Sequence, residues 1–437
     1  MYKYNDEMLK NKLLHIQTRK QFPGLDSFGE SNPLLSFYLY PDMSLYTTPG
    51  AITITCNKRL APYLESEVKE LGFVVGQTFV TGVHLTGTIN DCIKLNLNLR
   101  CASQVLYRLQ SFKANDGDSI YENVITFPWE TILTDPGYFS ITSNVSNPTI
   151  NNNLFANLRV KDAIVDRMRE KTGTRPSTGS ELTGAVFHLF WKNDDAEIFI
   201  DTSGDSLARH GYRKIPGRAP MLEALAAATM YATRWNRTSP FVNPMCGSGT
   251  VAIEAAMIAT NRRPGLFRTN YAFMHLKGYD EKVYLQEDAL LETQITENVG
   301  LRIIATDYSE VAVSNAKKNA IAAGVANLID FSVCEFSDTP IPPGDPGVFY
   351  VNPEYGERLG DVAALENTYS RIGDFMKQKC GGYFGYVFTG NLELAKKIGL
   401  KAKRRVEFYT STIDCRLLEY ELYQGSRTIK LDEDKII

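Results

Sequence analysis

The chain has 437 residues, enough for two or three domains with proper apolar cores. Charged residues make up 22% and hydrophobic ones 43%, and a net charge of −3 excludes a global nucleic-acid-binding signature, so any basic surface must be local. There is no run of 18 apolar residues, the amino terminus is polar, and the seven cysteines form no CxxC pair; we therefore expect a cytoplasmic protein with reduced thiols, neither secreted nor membrane-spanning, and without a zinc site.

Residues 1–50 read as an arm. A basic amphipathic helix over roughly Asp6 to Lys20 precedes a stretch rich in Pro, Gly and aromatics with no regular period. Three readings stay open: the arm wraps the protein's own surface, makes a homodimer contact, or is partly disordered. From Ala51 the pattern sharpens. ITITCN alternates as a strand, APYLESEVKELGF gives an amphipathic helix with Leu64, Val68 and Leu71 on one side, and GVHLTGTINDCIKLNLNL resumes strand character. A helix is expected around Ala102 to Ser111, then a loop containing NDGDS. GYFSITSNVSNP predicts a strand, NLRVKDAIVDRMREKTG a helix, and AVFHLFWKNDDAEIFIDTSG a hairpin turning at Asn193 to Asp195. Residues 51–204 thus read as a small α+β layer structure.

The helix over Asn157 to Gly173 carries Arg159, Lys161, Arg167, Arg169 and Lys171 beside apolar Val160, Ala163, Ile164 and Met168. Such a face either tracks a phosphate backbone or is only the solvated side of the helix. The basic linker from Arg209 to Arg218, which includes Arg213, falls where two domains should meet, and it makes a cleft there positive. PMLEALAAATMYATRW then reads as a helix.

Residues 205–437 alternate strands and helices, the pattern of a doubly wound parallel sheet. Their centre is FVNPMCGSGTVAIEAA. A buried strand ends at Asn243, Gly247 and Gly249 permit turns that side chains would block, and a helix from about Thr250 points its positive end at that turn. No Lys follows the glycines, so the Walker pattern fails, and the next strand-end acid comes far later than the ~20 residues of a dinucleotide fold. What remains is another nucleoside cofactor, or a plain strand-to-helix turn. After an insertion and a helix of about 15 residues, Ile303 to Ala305 make a second strand, with Asp307 past its end and Ser309 capping the next helix. An acid there suits ribose hydroxyls. LIDFSVCEF is a third strand ending at Glu335, and GVFYVNPEYGERLG a fourth that breaks at Asn352. The four strand ends line one edge of the sheet, where ligands bind in such folds.

NPMCGSGT at 243–250, ATDYSEVAVSNAKKNAIAAGV at 305–325 and VNPEYGERLG at 351–360 resemble motifs of class I S-adenosylmethionine-dependent methyltransferases. With IFIDTSGDSLARHGYR, the KDAIVDRMR helix and CRLLEYELY, the chain resembles more narrowly the THUMP-containing RNA guanine-N2 methyltransferases, above all the large-subunit ribosomal RNA group, from Ala51 to Gln424. The resemblance implies a doubly wound Rossmann-like methyltransferase domain preceded by an α+β ferredoxin-like plus THUMP RNA-binding module. It implies S-adenosylmethionine as cofactor and structured RNA as partner.

By the same resemblance the turn from Asn243 to Thr250, including Cys246, Gly247 and Gly249, approaches the methionine portion of the cofactor. Asp307 meets the ribose, and Tyr308 and Glu335 the adenine. Asn352 and Pro353 accept the hydrogens of a guanine amine, and Tyr355 stacks on an everted base. NPxY alone is shared with DNA adenine and protein glutamine methyltransferases, so adenine-N6 methylation is the enzymatic alternative. Three positions depart from the family: Asn243 and Glu335 stand where Asp is usual, and Glu354 replaces a second Pro. The last motivates another alternative, an RNA-binding protein with weakened catalysis. Cys246 lacks the Pro-Cys context of a cytosine-C5 nucleophile, and the five histidines fall in no metal spacing. KKIGLKAKRR, with six cations in ten residues, either touches RNA or is a solvated loop.

Overall fold

In the first half, local signals compete and the closer-range ones win. Strand β1 (Gly50–Thr55) alternates buried and partly buried residues, with Ile52 and Ile54 inward, and helix α1 (Ala61–Glu70) buries Leu64 and Val68 against it. After β2 (Val75–Phe79) and β3 (Gly82–Gly87), the run expected to continue as a strand is instead helix α2 (Ile89–Asn98). Thr88 and Asp91 close a capping box at its start, and Ile89, Cys92, Ile93 and Leu97 repeat at helical spacing on the buried face. The expected helix at 102–111 is instead strand β4 (Gln104–Lys113), whose Val105, Tyr107 and Leu109 point inward at period two. The expected NDGDS loop begins helix α3 (Gly117–Val124), where the Asp116 carboxylate accepts the Ser119 N–H.

Strand β5 (Tyr138–Ser146), helix α4 (Asn153–Thr172), the short β6 (Ser177–Thr178), β7 (Ala185–Lys192) and β8 (Asp195–Asp201) complete this half. Asn193, with φ of 52°, makes the hairpin turn between β7 and β8. The strands join in one eight-stranded sheet, ordered β2-β3-β1-β4-β8-β7-β5-β6. Its seam is the antiparallel β4–β8 pair, so the parts on either side are continuous through backbone hydrogen bonds. The computed structural model describes residues 45–148, 150, 152–217, 220–296, 300–356 and 362–424. The helix expected at Asp6 to Lys20, most of the arm, Arg218, residues 357–360 and the tail lie outside the described residues.

The second half is built on a seven-stranded sheet, β11 (Ile329–Val333), β10 (Ile303–Asp307), β9 (Phe241–Pro244), β12 (Val348–Val351), β13 (Phe384–Thr389), β15 (Ile413–Glu421) and β14 (Arg404–Thr410), in that spatial order. The first five are parallel, and the β14–β15 hairpin is antiparallel at one edge. Helices α5 (Glu223–Ala232), α6 (Thr250–Ala259), α7 (Glu281–Thr293), α8 (Glu310–Ala322), α9 (Val362–Lys379) and α10 (Leu392–Lys396) alternate with the strands. The chain leaves β9 toward β10 and β11 and returns to lay β12 on the other side of β9. That reversal of direction opens a crevice at the carboxyl ends of β9 and β12.

Candidate active site

The crevice is a cavity of about 1050 Å³, lined at one end by the turn after β9 and at the other by the segment after β12 and the tip of the β14–β15 hairpin. Its size is at the upper limit of small-molecule sites. At the β9 end the backbone is forced through left-handed conformations: Met245 has φ of 53°, Gly247 56° and Gly249 85°. Only the third needs glycine for space as well as for φ, because a Cβ there would come 2.9 Å from the Ala316 Cβ on α8. Met245 in this region is strained and is held by the surrounding turn. The Gly247 N–H donates to one carboxylate oxygen of Asp307 at 3.0 Å, and the Ser309 N–H donates to the other at 3.0 Å. Asp307 thus ties the glycine turn to the start of α8.

Asn243 is 2% exposed. Its side-chain amide donates to the Tyr350 carbonyl on β12 at 2.9 Å, while its Oδ1 has no partner among the described residues. An ionised aspartate lacks that donor, so the departure from Asp adds a bridge between β9 and β12. Asn352, the first residue past β12, also presents a buried Oδ1 without a hydrogen-bond partner among the described residues. Two desolvated acceptors in one cavity are costly unless a ligand donor meets them. Pro353 is buried beside Asn352, Glu354 is exposed at the mouth, and Tyr355 is partly buried. Tyr308 is 79% exposed on the opposite rim, a flat apolar face beside the cavity. The Glu335 carboxylate is bound by Ser337 and pairs with Arg371 at 2.9 Å. Burial alone would raise its pKa; the bonds from Ser337 and the Arg371 charge outweigh that and hold it below the ordinary value.

Of the residues singled out from sequence, Asn243, Cys246, Gly247, Thr250, Asp307, Tyr308, Glu335, Asn352, Pro353 and Tyr355 all line this one cavity. Gly249 does not; it is the packing point against α8. Burial first, then the Asp307 charge, pushes the Cys246 thiol up, which leaves it an inert apolar wall rather than a nucleophile. The basic candidates already have partners within the protein. Arg167 is held by both oxygens of Glu130, at 3.0 and 2.7 Å, and Lys161 pairs with Asp162 at 2.8 Å, so a phosphate would have to displace those carboxylates. Arg213 is turned inward, where its guanidinium donates to the Met221 carbonyl and to Thr250 Oγ1 at 2.9 Å. It braces the first turn of α6.

Profiles of three known domains match the chain: the RlmL ferredoxin-like domain over residues 51–106, the THUMP domain over 114–201, and the RMKL-like methyltransferase domain over 210–419. The chain thus joins a THUMP domain to a methyltransferase domain. Curated relatives from Syntrophotalea carbinolica and Psychromonas ingrahamii, each named ribosomal RNA large subunit methyltransferase K/L, are both 36% identical over 84% of the chain. The chain spans about half the length of these relatives, 53% and 49%. Among solved structures, a protein described as a methyltransferase complexed with SAH is 26% identical with a TM-score of 0.77, over 86% of this chain and 99% of that one. One from Listeria monocytogenes, described as a predicted N6-adenine-specific DNA methylase, is 29% identical with a TM-score of 0.77, over 87% of this chain and 97% of that one.

Sequence reasoning missed one organising residue of the site. Asn319 on α8 is fully buried; its amide donates to the Ile215 and Ser248 carbonyls, and its Oδ1 accepts the Lys214 and Ile215 N–H groups. It fastens the basic linker to the glycine turn. Its only sequence signal is an Asn on the apolar side of a helix. The hairpin tip, Thr410, Ser411 and Ile413, was missed as well, because it reaches the cavity only through strand pairing at the far edge.

Proposed function

We propose that this chain is an RNA methyltransferase that uses S-adenosylmethionine to methylate the exocyclic N2 of a guanine in large-subunit ribosomal RNA. The observation that carries the reading is the buried Asn352 Oδ1, unpartnered among the described residues, in the same cavity as the Asn243–Thr250 turn. The cavity fits the donor: the Asn243 Oδ1 offers an acceptor for an ammonium group, Asp307 carboxylate oxygens remain beside it for ribose hydroxyls, and Tyr308 offers a ring face for adenine. Bound there, the donor supplies a methyl group on a sulfonium and needs no metal.

The chain's own residues then handle the acceptor amine. The amine's lone pair is delocalised into the purine ring. Asn352 Oδ1 and the Pro353 carbonyl accept its two hydrogens, which draws the lone pair out of conjugation with the ring and orients it for in-line attack, and the methylated amine then gives up one proton to water. The cost of leaving the Asn352 Oδ1 dry is recovered only when the base arrives, so that hydrogen bond also selects for a base with a free amine. Tyr355 stacks on that base. Water is excluded by Pro353, Phe388 and Ile413 around the slot. Structured RNA as partner, a homodimer and a cytosolic setting belong to the same proposal.

Adenine-N6 methylation is the second reading, favoured by the described activity of the Listeria monocytogenes neighbour and by the same asparagine chemistry. Incubation with labelled S-adenosylmethionine and either unmodified ribosomal RNA or duplex DNA separates them. Label in N2-methylguanine is the expected result; label in N6-methyladenine overturns the choice of base, and no label in either overturns the enzyme.

A further inference from the structure

Gly390 directly follows β13, and its backbone is not in the left-handed region. Its requirement is space. A Cβ there would stand 2.8 Å from the Ile413 Cγ2 and 3.0 Å from both Cδ2 and Cε2 of the Tyr355 ring. Both of those side chains line the cavity on its acceptor side. The next residue holds the same loop from its backbone: Asn391 Nδ2 donates to the Tyr355 carbonyl at 3.4 Å, while its Oδ1 caps α10 by accepting the Glu393 and Leu394 N–H groups. Asn391 is itself anchored, since its N–H donates to Thr389 Oγ1, which is bonded to the buried Tyr369 hydroxyl at 2.8 Å. The end of β13 is therefore a rigid shelf with a notch in it, and the notch is filled by the one ring that follows Asn352 by three residues.

We propose that Gly390 is a positioning residue for methyl transfer: its missing side chain is the notch that seats Tyr355 against Ile413, and that seat sets the width of the slot for the acceptor base. The inference deepens the proposed function and rests on it. Filling the notch pushes the ring into the slot while leaving the donor half of the cavity untouched. A displacement near 1 Å in such a slot lowers turnover by about 10- to 100-fold.

The test compares the native protein, Gly390→Ala, Ile413→Ala and Gly390→Ala/Ile413→Ala. Expected for Gly390→Ala are a displaced Tyr355 ring in its crystal structure, SAH affinity within about twofold of native by calorimetry, and kcat on ribosomal RNA at least about tenfold lower. Removing the Ile413 methyls gives the ring somewhere to go, so the double variant should recover most of the lost kcat. A native ring position, native kcat, or a loss that the double variant leaves unchanged overturns the proposal. Should Gly390→Ala alone fail to fold, the double variant compared with Ile413→Ala carries the same readouts. If the native protein transfers no methyl to RNA, the proposed function falls, and Gly390 is judged on the ring alone: displaced supports the seat, unmoved overturns it.

Discussion

Asn352 and Asp307 divide the cavity's work between acceptor and donor, and their hydrogen bonds make the division testable. Among the described residues Asn352 Oδ1 has no partner to lose, so Asn352→Ala should leave the fold and donor affinity near native while transfer falls by about 10²-fold or more, the usual effect of removing one preorganised hydrogen-bonding group. Single-turnover kinetics beside SAH calorimetry measure both; a native rate removes Asn352 from the chemistry. Asp307 differs because both its oxygens already accept backbone N–H groups, from Gly247 and Ser309. Asp307→Ala should weaken donor binding by at least about tenfold, since it removes an acceptor and also loosens the turn, the equivalent of one hydrogen bond to a charged group. Unchanged SAH affinity would locate the ribose elsewhere. Residues of this kind were legible because each sits within a residue or two of a strand end, and strand ends are marked in sequence by the switch from apolar runs to Asn, Asp and Gly. Asn319 was not legible, since its four partners come from segments 71 to 105 positions away.

Elements were read well where one periodicity dominated and badly where two competed. Helix α6 and strands β9, β10 and β12 are apolar runs bounded by turns. ASQVLYRLQS, by contrast, holds Leu, Arg and Gln, good helix formers, yet forms β4, because the sheet needs a strand between β1 and β8 and alternate residues bury into it. Propensity is a weak prior beside such pairing. The β14–β15 hairpin was recognised only in part, and its function in the site depends on contacts from the first half of the chain. The Tyr63 ring of α1 stacks on Phe408 with centroids 5.8 Å apart, Arg59 pairs with Glu407 at 2.5 Å, and the Lys58 ammonium lies 4.0 Å from the Tyr409 ring centroid. These contacts hold the hairpin whose tip lines the acceptor slot. Their weights differ: both members of the Arg59–Glu407 pair are more than 40% exposed, whereas Tyr63 is packed. Urea unfolding should therefore show Arg59→Ala within about 1 kcal/mol of native and Tyr63→Ala destabilised by about 1–3 kcal/mol. Equal losses would mean that the ion pair, not the ring, carries the contact.

At the scale of the whole molecule, sequence gave the order of the modules but not the joint between them, because a joint is made of pairs that no local pattern connects. Arg100, at the end of α2, is 1% exposed and donates to the Met257 and Arg262 carbonyls at the end of α6. Its own carbonyl faces the His210 Nε2 at 2.9 Å, and the other ring nitrogen of His210 faces Glu254 at 2.7 Å. Glu67 of α1 accepts the N–H groups of Arg100 and Cys101 and the Tyr231 hydroxyl, closing the same joint from the other side. Two acceptors on one imidazole favour the doubly protonated ring. Burial lowers the His210 pKa, but the Glu254 charge and the two hydrogen bonds outweigh it, against a repulsion from Arg100, and the net shift is upward. A raised native pKa means that His210 adds stability in full below its unfolded value of about 6.5, and loses it as pH rises through the native value. Replacing it with Gln removes the titration while keeping a hydrogen-bonding side chain. The melting-temperature gap between native protein and His210→Gln should therefore be widest at pH 6 and below, and should narrow as pH is raised toward 9. The other charged or titratable groups at the joint, Glu254, Arg100, Tyr212 and Glu223, are common to both proteins, so the difference isolates His210. A gap that stays constant or widens with pH would mean that the ring is neutral in the folded protein and that the joint is held by packing and by Arg100 alone.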